Sequence, residues 1–260
     1  FAAGDIASSS SGAAATAALL DAGNPDAVLA LGDNAYSGGS ALDYATRYGP
    51  TWGAHAFRTR PVAGNHDYDT PGAAGYFGYF GVAAGQTGTG YYSYGLGTWH
   101  VIALNSNCKE AGGCAAGSLQ EQWLRADLAA HPSSCTLAYW HHPRFSSGKH
   151  GSHDAVEPLW QALFDAGADV ILTAHDHNYE RFAPQGPAGV LDPERGLRQF
   201  VVGTGGGSNY PLKLPIANSE VSNDETWGVL ELTLRDTGYD WRFVPVAGQT
   251  FTDAGSAPCH

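Results

Sequence analysis

Residues 169–178 read Asp169-Val170-Ile171-Leu172-Thr173-Ala174-His175-Asp176-His177-Asn178. An apolar run of this length without polar alternation suits a strand buried on both faces of a sheet. It stops at imidazole, carboxylate and amide groups. The construction occurs twice more: the apolar residues 27–31 end at Gly32-Asp33, and residues 136–140 end at His141-His142-Pro143. Buried strands that each deliver polar side chains at their ends predict an α/β sheet whose strand-to-loop junctions converge on one crevice.

Helices are expected between these strands. Ser118 with Glu121 predicts a capping box ahead of Leu119, Trp123, Leu124 and Leu128, and Asp154 with Glu157 predicts another. Val156, Leu159, Trp160, Leu163 and Phe164 then follow helical spacing, with Gly167 just beyond them. The last third changes character. Leu230, Leu232 and Leu234 alternate with polar residues, Asp236-Thr237-Gly238 turns the chain, and Tyr239, Trp241 and Phe243 alternate in turn. This predicts an antiparallel hairpin with one buried face. Residues 91–94 and 99–104 predict a second hairpin. No repeat or linker interrupts the chain, and residues 8–11 are its only low-complexity piece. One domain over residues 1–260 is expected.

Hydrophobic residues make up 43% and aromatics 12%, which excludes a disordered or fibrous chain. Charged residues are only 15%, and the net charge is −12. Such an acidic chain is poorly suited to nucleic acid or an anionic membrane, and no apolar run reaches the roughly 18–20 residues of a membrane span. Residue 1 is Phe, Met is absent and no leader is visible, so a processed or trimmed chain is expected. Cys108 and Cys114 flank the short loop Lys109-Glu110-Ala111-Gly112-Gly113 and are expected to close it as a disulfide. Cys135 and Cys259 remain as the second pair. None sits in a CxxC zinc pair. Paired cysteines and few lysines lead to the expectation of a secreted protein, extracellular or periplasmic.

The chemistry concentrates in five segments: Gly4-Asp5, Gly32-Asp33-Asn34-Ala35-Tyr36, Gly64-Asn65-His66-Asp67, His141-His142-Pro143 and His175-Asp176-His177. Taken singly, each is an ordinary turn or cap. Together they deliver oxygen and nitrogen donors suited to Zn, Mn or Fe. Alternate residues at a strand end point the same way, so His175 and His177 are expected to be able to face one ion. Gly203-Thr204-Gly205-Gly206-Gly207 is not a P-loop, because no Gly-Lys-Ser/Thr follows it. The aromatics of residues 75–80 are expected to pack a loop and not to line a substrate groove.

The series resembles the calcineurin-like metallophosphoesterase superfamily, and Gly-Asp-x-x-Tyr resembles its purple acid phosphatase branch. The likeness runs in order from Asp5 to His177, and Gly203-Thr204-Gly205-Gly206 is similar to the family's Gly-rich turn. Two positions depart from the pattern: Ile6-Ala7 follow Asp5 in place of x-Gly, and Ala174 stands where Gly is usual.

The resemblance implies a four-layer α/β/β/α sandwich with two mixed β-sheets. It implies two metal ions, Fe(III) plus a divalent Zn, Mn or Fe. Asp5, Asp33, Tyr36 and His177 would hold the first ion; Asp33, Asn65, His141 and His175 the second, with Asp33 bridging. His142 would not be a ligand. His66, with Asp67 beside it to influence its orientation and charge, and His150 are the two candidates for general acid; His153 is assigned no role. The implied activity is hydrolysis of phosphate monoesters by metal-activated hydroxide, with a small-molecule phosphate ester as substrate and neither nucleic acid nor membrane as partner. The alternatives are a phosphodiesterase or nucleotidase on the same scaffold, or a secreted binding protein that keeps its metals without catalysis.

Overall fold

The computed structural model describes residues 1–8 and 11–260; Ser9 and Ser10, within the serine run, lie outside the described residues. In chain order the strands are β1 (Ala2–Ala3), β2 (Val28–Leu31), β3 (Thr59–Val62), β4 (Tyr92–Leu96), β5 (Trp99–Ala103), β6 (Thr136–Tyr139), β7 (Val170–Thr173), β8 (Tyr179–Phe182), β9 (Arg198–Val202), β10 (Ser219–Asn223), β11 (Gly228–Arg235), β12 (Gly238–Pro245) and β13 (Ala254–Pro258). The α-helices are α1 (Gly12–Gly23), α2 (Ala41–Asp43), α3 (Ala74–Phe80), α4 (Leu119–Ala130) and α5 (Glu157–Asp165).

The strands form two mixed sheets, ordered β13-β12-β11-β1-β2-β3 and β10-β8-β9-β7-β6-β5-β4. The apolar runs are the parallel centre: β1, β2 and β3 pair in parallel, as do β5, β6, β7 and β9. Both faces of the second sheet are covered. Val101, Leu137, Tyr139, Val170 and Leu172 belong to the core that also holds Leu29, Leu31 and Val62 of the first sheet. The intervening Ile102, Ala138 and Ile171 pack with Leu124, Leu159, Trp160 and Leu163 of α4 and α5. Each buried Leu or Ile contributes about 1.5–3 kcal/mol. That two-sided burial is why these strands carry no polar alternation. Two mixed sheets packed face to face, with helices on the outer side of the second, agree with the expected sandwich.

Both hairpins form. Leu230, Leu232 and Leu234 stand opposite Phe243, Trp241 and Tyr239, and β4 pairs antiparallel with β5. The helix caps differ in part. Ser118 Oγ accepts from the Glu121 amide, but Glu121 returns to the Gly117 amide, so the box is displaced by one residue. Asp154 caps nothing. A 3₁₀ turn, Asp154–Val156, precedes α5, and the Asp154 carboxylate pairs with Arg144 at 2.6 Å. The 75–80 aromatics form helix α3, with Tyr76, Phe77 and Phe80 buried and Tyr79 stacked on Tyr44 at 5.0 Å.

Both disulfides are present, Cys108–Cys114 and Cys135–Cys259. Cys135 immediately precedes β6 and Cys259 follows β13, so the second bond joins the two sheets covalently. Asp253 makes a second join. Its carboxylate accepts from Tyr179 Oη (2.6 Å) and Arg181 Nε (2.7 Å) of β8, and from Trp241 Nε1 (3.2 Å) of β12. Among the described residues, no helix is long and apolar enough to cross a membrane.

Candidate metal centre

The β1–β2 ladder runs past the strand ends. The Asp5, Ile6 and Ala7 amides donate to the carbonyls of Gly32, Asp33 and Asn34. This places Asp5 beside the loop of Asp33 and Tyr36. Ile6 and Ala7 are fully buried within the extension, so the departure from x-Gly is absorbed by the core. The other departure is absorbed by Gly4: a Cβ there would lie 2.5 Å from that of Ala174. Asp5, Asp33 and His175 have left-handed backbones, with φ of 58°, 49° and 69°. That conformation costs a non-glycine residue on the order of 1–2 kcal/mol, and three neighbouring instances concentrate the strain where the side chains meet.

Tyr36 Oη lies 2.9 Å from Asp5 Oδ1, 3.1 Å from Asp33 Oδ2 and 3.0 Å from His177 Nε2. His177 Nε2 is also 3.3 Å from Asp5 Oδ1. The structure thus brings together the four side chains expected at the first ion. His141 Nε2 stands 3.4 Å from the same Asp33 Oδ2, and the His141 and His175 rings are 5.0 Å apart. Asp5, Asp33 and His141 offer donor atoms within 4.8 Å of one another, as do His141, His142 and His175.

The residues fit a metal centre on a physical criterion. His141 Nε2 and Asn65 Oδ1 are buried and have no hydrogen-bond partner among the described residues. Buried polar atoms are rarely left so. The far nitrogens are held: His141 Nδ1 meets the Leu31 carbonyl at 2.9 Å and His177 Nδ1 meets that of Ser208 at 2.6 Å. A histidine that donates its Nδ1 proton to a carbonyl presents an Nε2 lone pair, the orientation found in metal-binding histidines. Space is reserved as well: a Cβ on Gly64 would fall 2.1 Å from Asp33 Oδ1, and one on Gly32 2.6 Å from His141 Nδ1.

The charges are strongly coupled. Burial would raise the Asp33 and Asp5 carboxyls, but His141 beside Asp33 and His177 beside Asp5 outweigh it and hold both below the usual range. Despite its burial, His141 is raised to about 9, chiefly by Asp33. Burial, then the Asp33 and Asp5 charges, push the Tyr36 phenol well above its ordinary value. Burial and the neighbouring His141 push His175 down to about 3.

Several expectations change. His175 and His177 do not face one point: His177 meets Asp5 and Tyr36, whereas His175 meets His141. Strand β7 ends at Thr173 and the left-handed turn at His175 breaks the alternation. The Asp67 carboxylate does not hold the His66 ring. It is buried and accepts from Tyr44 Oη (2.6 Å), Gly64 N (2.9 Å) and Asn34 Nδ2 (3.0 Å). Asp69 and the Ser37 carbonyl hold His66 Nδ1 instead, at 3.0 and 2.8 Å, leaving Nε2 turned toward Asp33 at 3.9 Å. His150 is exposed, with its ring 4.4 Å from that of His175.

Sequence reasoning missed two supporting residues. Asp176 fixes the segment carrying His150, accepting from Ser146 Oγ (2.5 Å), His150 N (2.7 Å) and Gly151 N (3.2 Å). Its place between the two histidines was the available signal. Tyr210 stacks on His177 at 4.1 Å, and nothing in its local sequence marks it. The Gly-rich turn packs on the Asp5 loop, with Gly205 and Gly207 amides donating to the Gly4 and Asp5 carbonyls. An open cleft of about 510 Å³ beside the centre is lined by Asn65, Tyr68, Lys109, His142 and His153.

The calcineurin-like phosphoesterase profile matches residues 2–179. An uncharacterized protein of Mycobacterium tuberculosis is 28% identical over 188 residues, 58% of this chain and 35% of its own length. Purple acid phosphatase 15 of Arabidopsis thaliana is 28% identical over 130 residues, 45% of this chain and 24% of its own. This chain thus spans 22–38% of the length of the curated relatives it matches. Among solved structures, the purple acid phosphatase PPD1 of yellow lupin superposes with a TM-score of 0.76 at 19% identity, over 98% of this chain and 52% of its own. The anchor GAP50 of the Plasmodium inner membrane complex also gives 0.76, at 13% identity over 100% and 88%. The chain belongs to the calcineurin-like phosphoesterase family, and within it resembles the purple acid phosphatases.

Proposed function

We propose that residues 1–260 form one catalytic domain that hydrolyses small-molecule phosphate monoesters with two metal ions, Fe(III) and a divalent partner, in the manner of an acid phosphatase. The observation that carries this reading is the position of the Asp33 carboxylate. Its Oδ2 is shared by the two donor groups, 3.1 Å from Tyr36 Oη and 3.4 Å from His141 Nε2. A carboxylate so shared suits two ions at the separation of about 3.5–4 Å typical of two-metal sites.

Asp5, Tyr36 and His177 would hold one ion, Asn65, His141 and His175 the other, and Asp33 both. The ions, when bound, supply Lewis acidity toward the phosphoryl oxygens and lower the pKa of water. The protein then has to place the ester and protonate its leaving oxygen. His66 is suited to that proton transfer: Asp69 and the Ser37 carbonyl fix Nδ1, and Nε2 faces the centre. His150, its ring 4.4 Å from that of His175 on a segment fixed by Asp176, would contact the substrate. The two disulfides support an oxidising compartment and therefore secretion.

The sandwich is also that of the Plasmodium anchor GAP50, so fold alone does not select an enzyme. Protein reconstituted with iron and zinc or manganese tests the reading. Turnover of p-nitrophenyl phosphate well above that of bis-p-nitrophenyl phosphate is expected. Faster diester cleavage would favour a phosphodiesterase, and full metal occupancy without turnover of either ester would favour a binding protein.

A further inference from the structure

His100, Asp127 and His131 form a second donor cluster, away from Asp33. His100 lies at the start of β5, opposite Thr136, the first residue of β6, whereas His141 follows the far end of β6. At about 3.3 Å per strand residue the cluster is roughly 13 Å or more from the candidate metal centre. Asp127 and His131 stand four residues apart at the end of α4, a spacing that puts two side chains on one helix face.

The three donors already converge. His100 Nε2 is 2.7 Å from Asp127 Oδ2, and His131 Nδ1 is 3.2 Å from Asp127 Oδ1. The two imidazoles lie face to face, 5.0 Å between centroids. The His100 and Asp127 side chains are each 7% exposed, whereas that of His131 is 56% exposed, and its Nδ1 also lies 2.9 Å from the Asp127 carbonyl, which it leaves when it turns to an ion. Ser93 Oγ donates to Asp127 Oδ1 at 2.7 Å and fixes the plane of the carboxylate. Outer hydrogen bonds of this kind orient metal ligands.

We propose that His100, Asp127 and His131 form a separate binding site for one divalent ion of the Zn(II) type. Two imidazoles and a carboxylate are a common zinc donor set, with water as the fourth ligand. The ion takes the place of the proton between His100 Nε2 and Asp127 Oδ2, and that proton leaves to solvent. Ligands about 2.0–2.1 Å from a tetrahedral zinc stand roughly 3.3 Å apart, so the 2.7 Å pair opens by about half an ångström. The exposed His131 ring closes the site. The role is structural: the ion ties the end of α4 to β5, beside the Cys135 carbonyl that accepts the His100 amide at 3.1 Å.

The test compares the full chain with His131→Ala. Both proteins are stripped of metal, loaded with Zn(II), desalted and analysed for metal content. The variant is expected to hold one zinc fewer per chain than wild type and to hydrolyse p-nitrophenyl phosphate at an unchanged rate. Cobalt in place of zinc is expected to give a d–d difference spectrum between the two proteins. Because His131 is exposed, the variant is expected to melt with the metal-free wild type, and zinc should raise the melting temperature of wild type by more. Equal zinc content in the two proteins overturns the proposal and leaves the cluster as a buried His–Asp pair. The readout is a difference between two proteins, so it stands whatever occupies the centre around Asp33.

Discussion

Tyr36 Oη lies 2.9 Å from Asp5 Oδ1, joining side chains 31 residues apart from the loops after β1 and β2. Burial and the two carboxylates hold the phenol well above its ordinary pKa. Without a cation, Tyr36 therefore keeps its proton and serves as a hydrogen-bond donor. A phenolate forms only when a highly charged ion replaces that proton.

Iron-loaded wild type should accordingly show a visible charge-transfer band that Tyr36→Phe lacks. Activity of the variant should fall about tenfold or more, the scale of a lost ligand-shell interaction. Identical spectra from the two iron-loaded proteins would remove Tyr36 from the ligand set.

Asp33→Asn should lower the content of both ions and reduce turnover at least a hundredfold, because the carboxylate is shared between both donor groups. Asn65→Ala should deplete one ion. Elemental analysis of the purified variants, alongside turnover, checks both.

His66→Ala should leave metal content unchanged and slow alkyl phosphates by about 10²–10⁴, while nitrophenyl phosphates lose far less. A good leaving group departs without a proton, so the contrast between substrates isolates acid catalysis from substrate positioning. Equal losses on the two ester classes would assign His66 to positioning.

The two disulfides should differ in value. In the chain-entropy picture, a closed loop of 100 residues is worth about 4.7 kcal/mol and a short one considerably less. Cys135–Cys259 spans 124 residues and Cys108–Cys114 spans 6. Cys135→Ser with Cys259→Ser should therefore lower the denaturant midpoint much more than Cys108→Ser with Cys114→Ser. Similar midpoints for both pairs would contradict this.

Burial alone would raise the Asp253 carboxyl, but its bonds to Arg181, Tyr179 and Trp241 hold it below the ordinary value. A depressed folded pKa adds stability that is present above the usual Asp range near 4 and is lost as pH falls through the folded value. Asp253→Asn should cost about 1–3 kcal/mol at neutral pH. It should also flatten the acid side of the stability curve, as measured by urea unfolding from pH 7 down to 2.

The sequence made the strands legible because runs such as 169–174 have to satisfy a sheet covered on both faces. It made the donor residues legible because each stands directly after such a run. What surrounds them was less legible. Asp67 and Asp69 both follow His66, one and three residues on, and only the 3₁₀ turn at His66–Asp69 decides that Asp69 reaches it. Asp154 resembles a cap, but Arg144 competes for its carboxylate from ten residues away. The split between His175 and His177 depends on one left-handed residue. Tyr210 reaches the centre through tertiary packing, which leaves no local periodicity to read.

The sheet order also bears on where the chain can be divided. The profile match ends at residue 179, yet β1 is paired on one side by β11, and β7 by β9. A fragment ending at 179 would strip both strands of a partner and turn two interior strands into open edges. Such edges are ready templates for intermolecular pairing, and here they would lie next to Asp5 and His175. The boundaries of a recognisable sequence signature are therefore not those of a soluble expression unit, and the antiparallel C-terminal strands are part of what keeps the fold from aggregating.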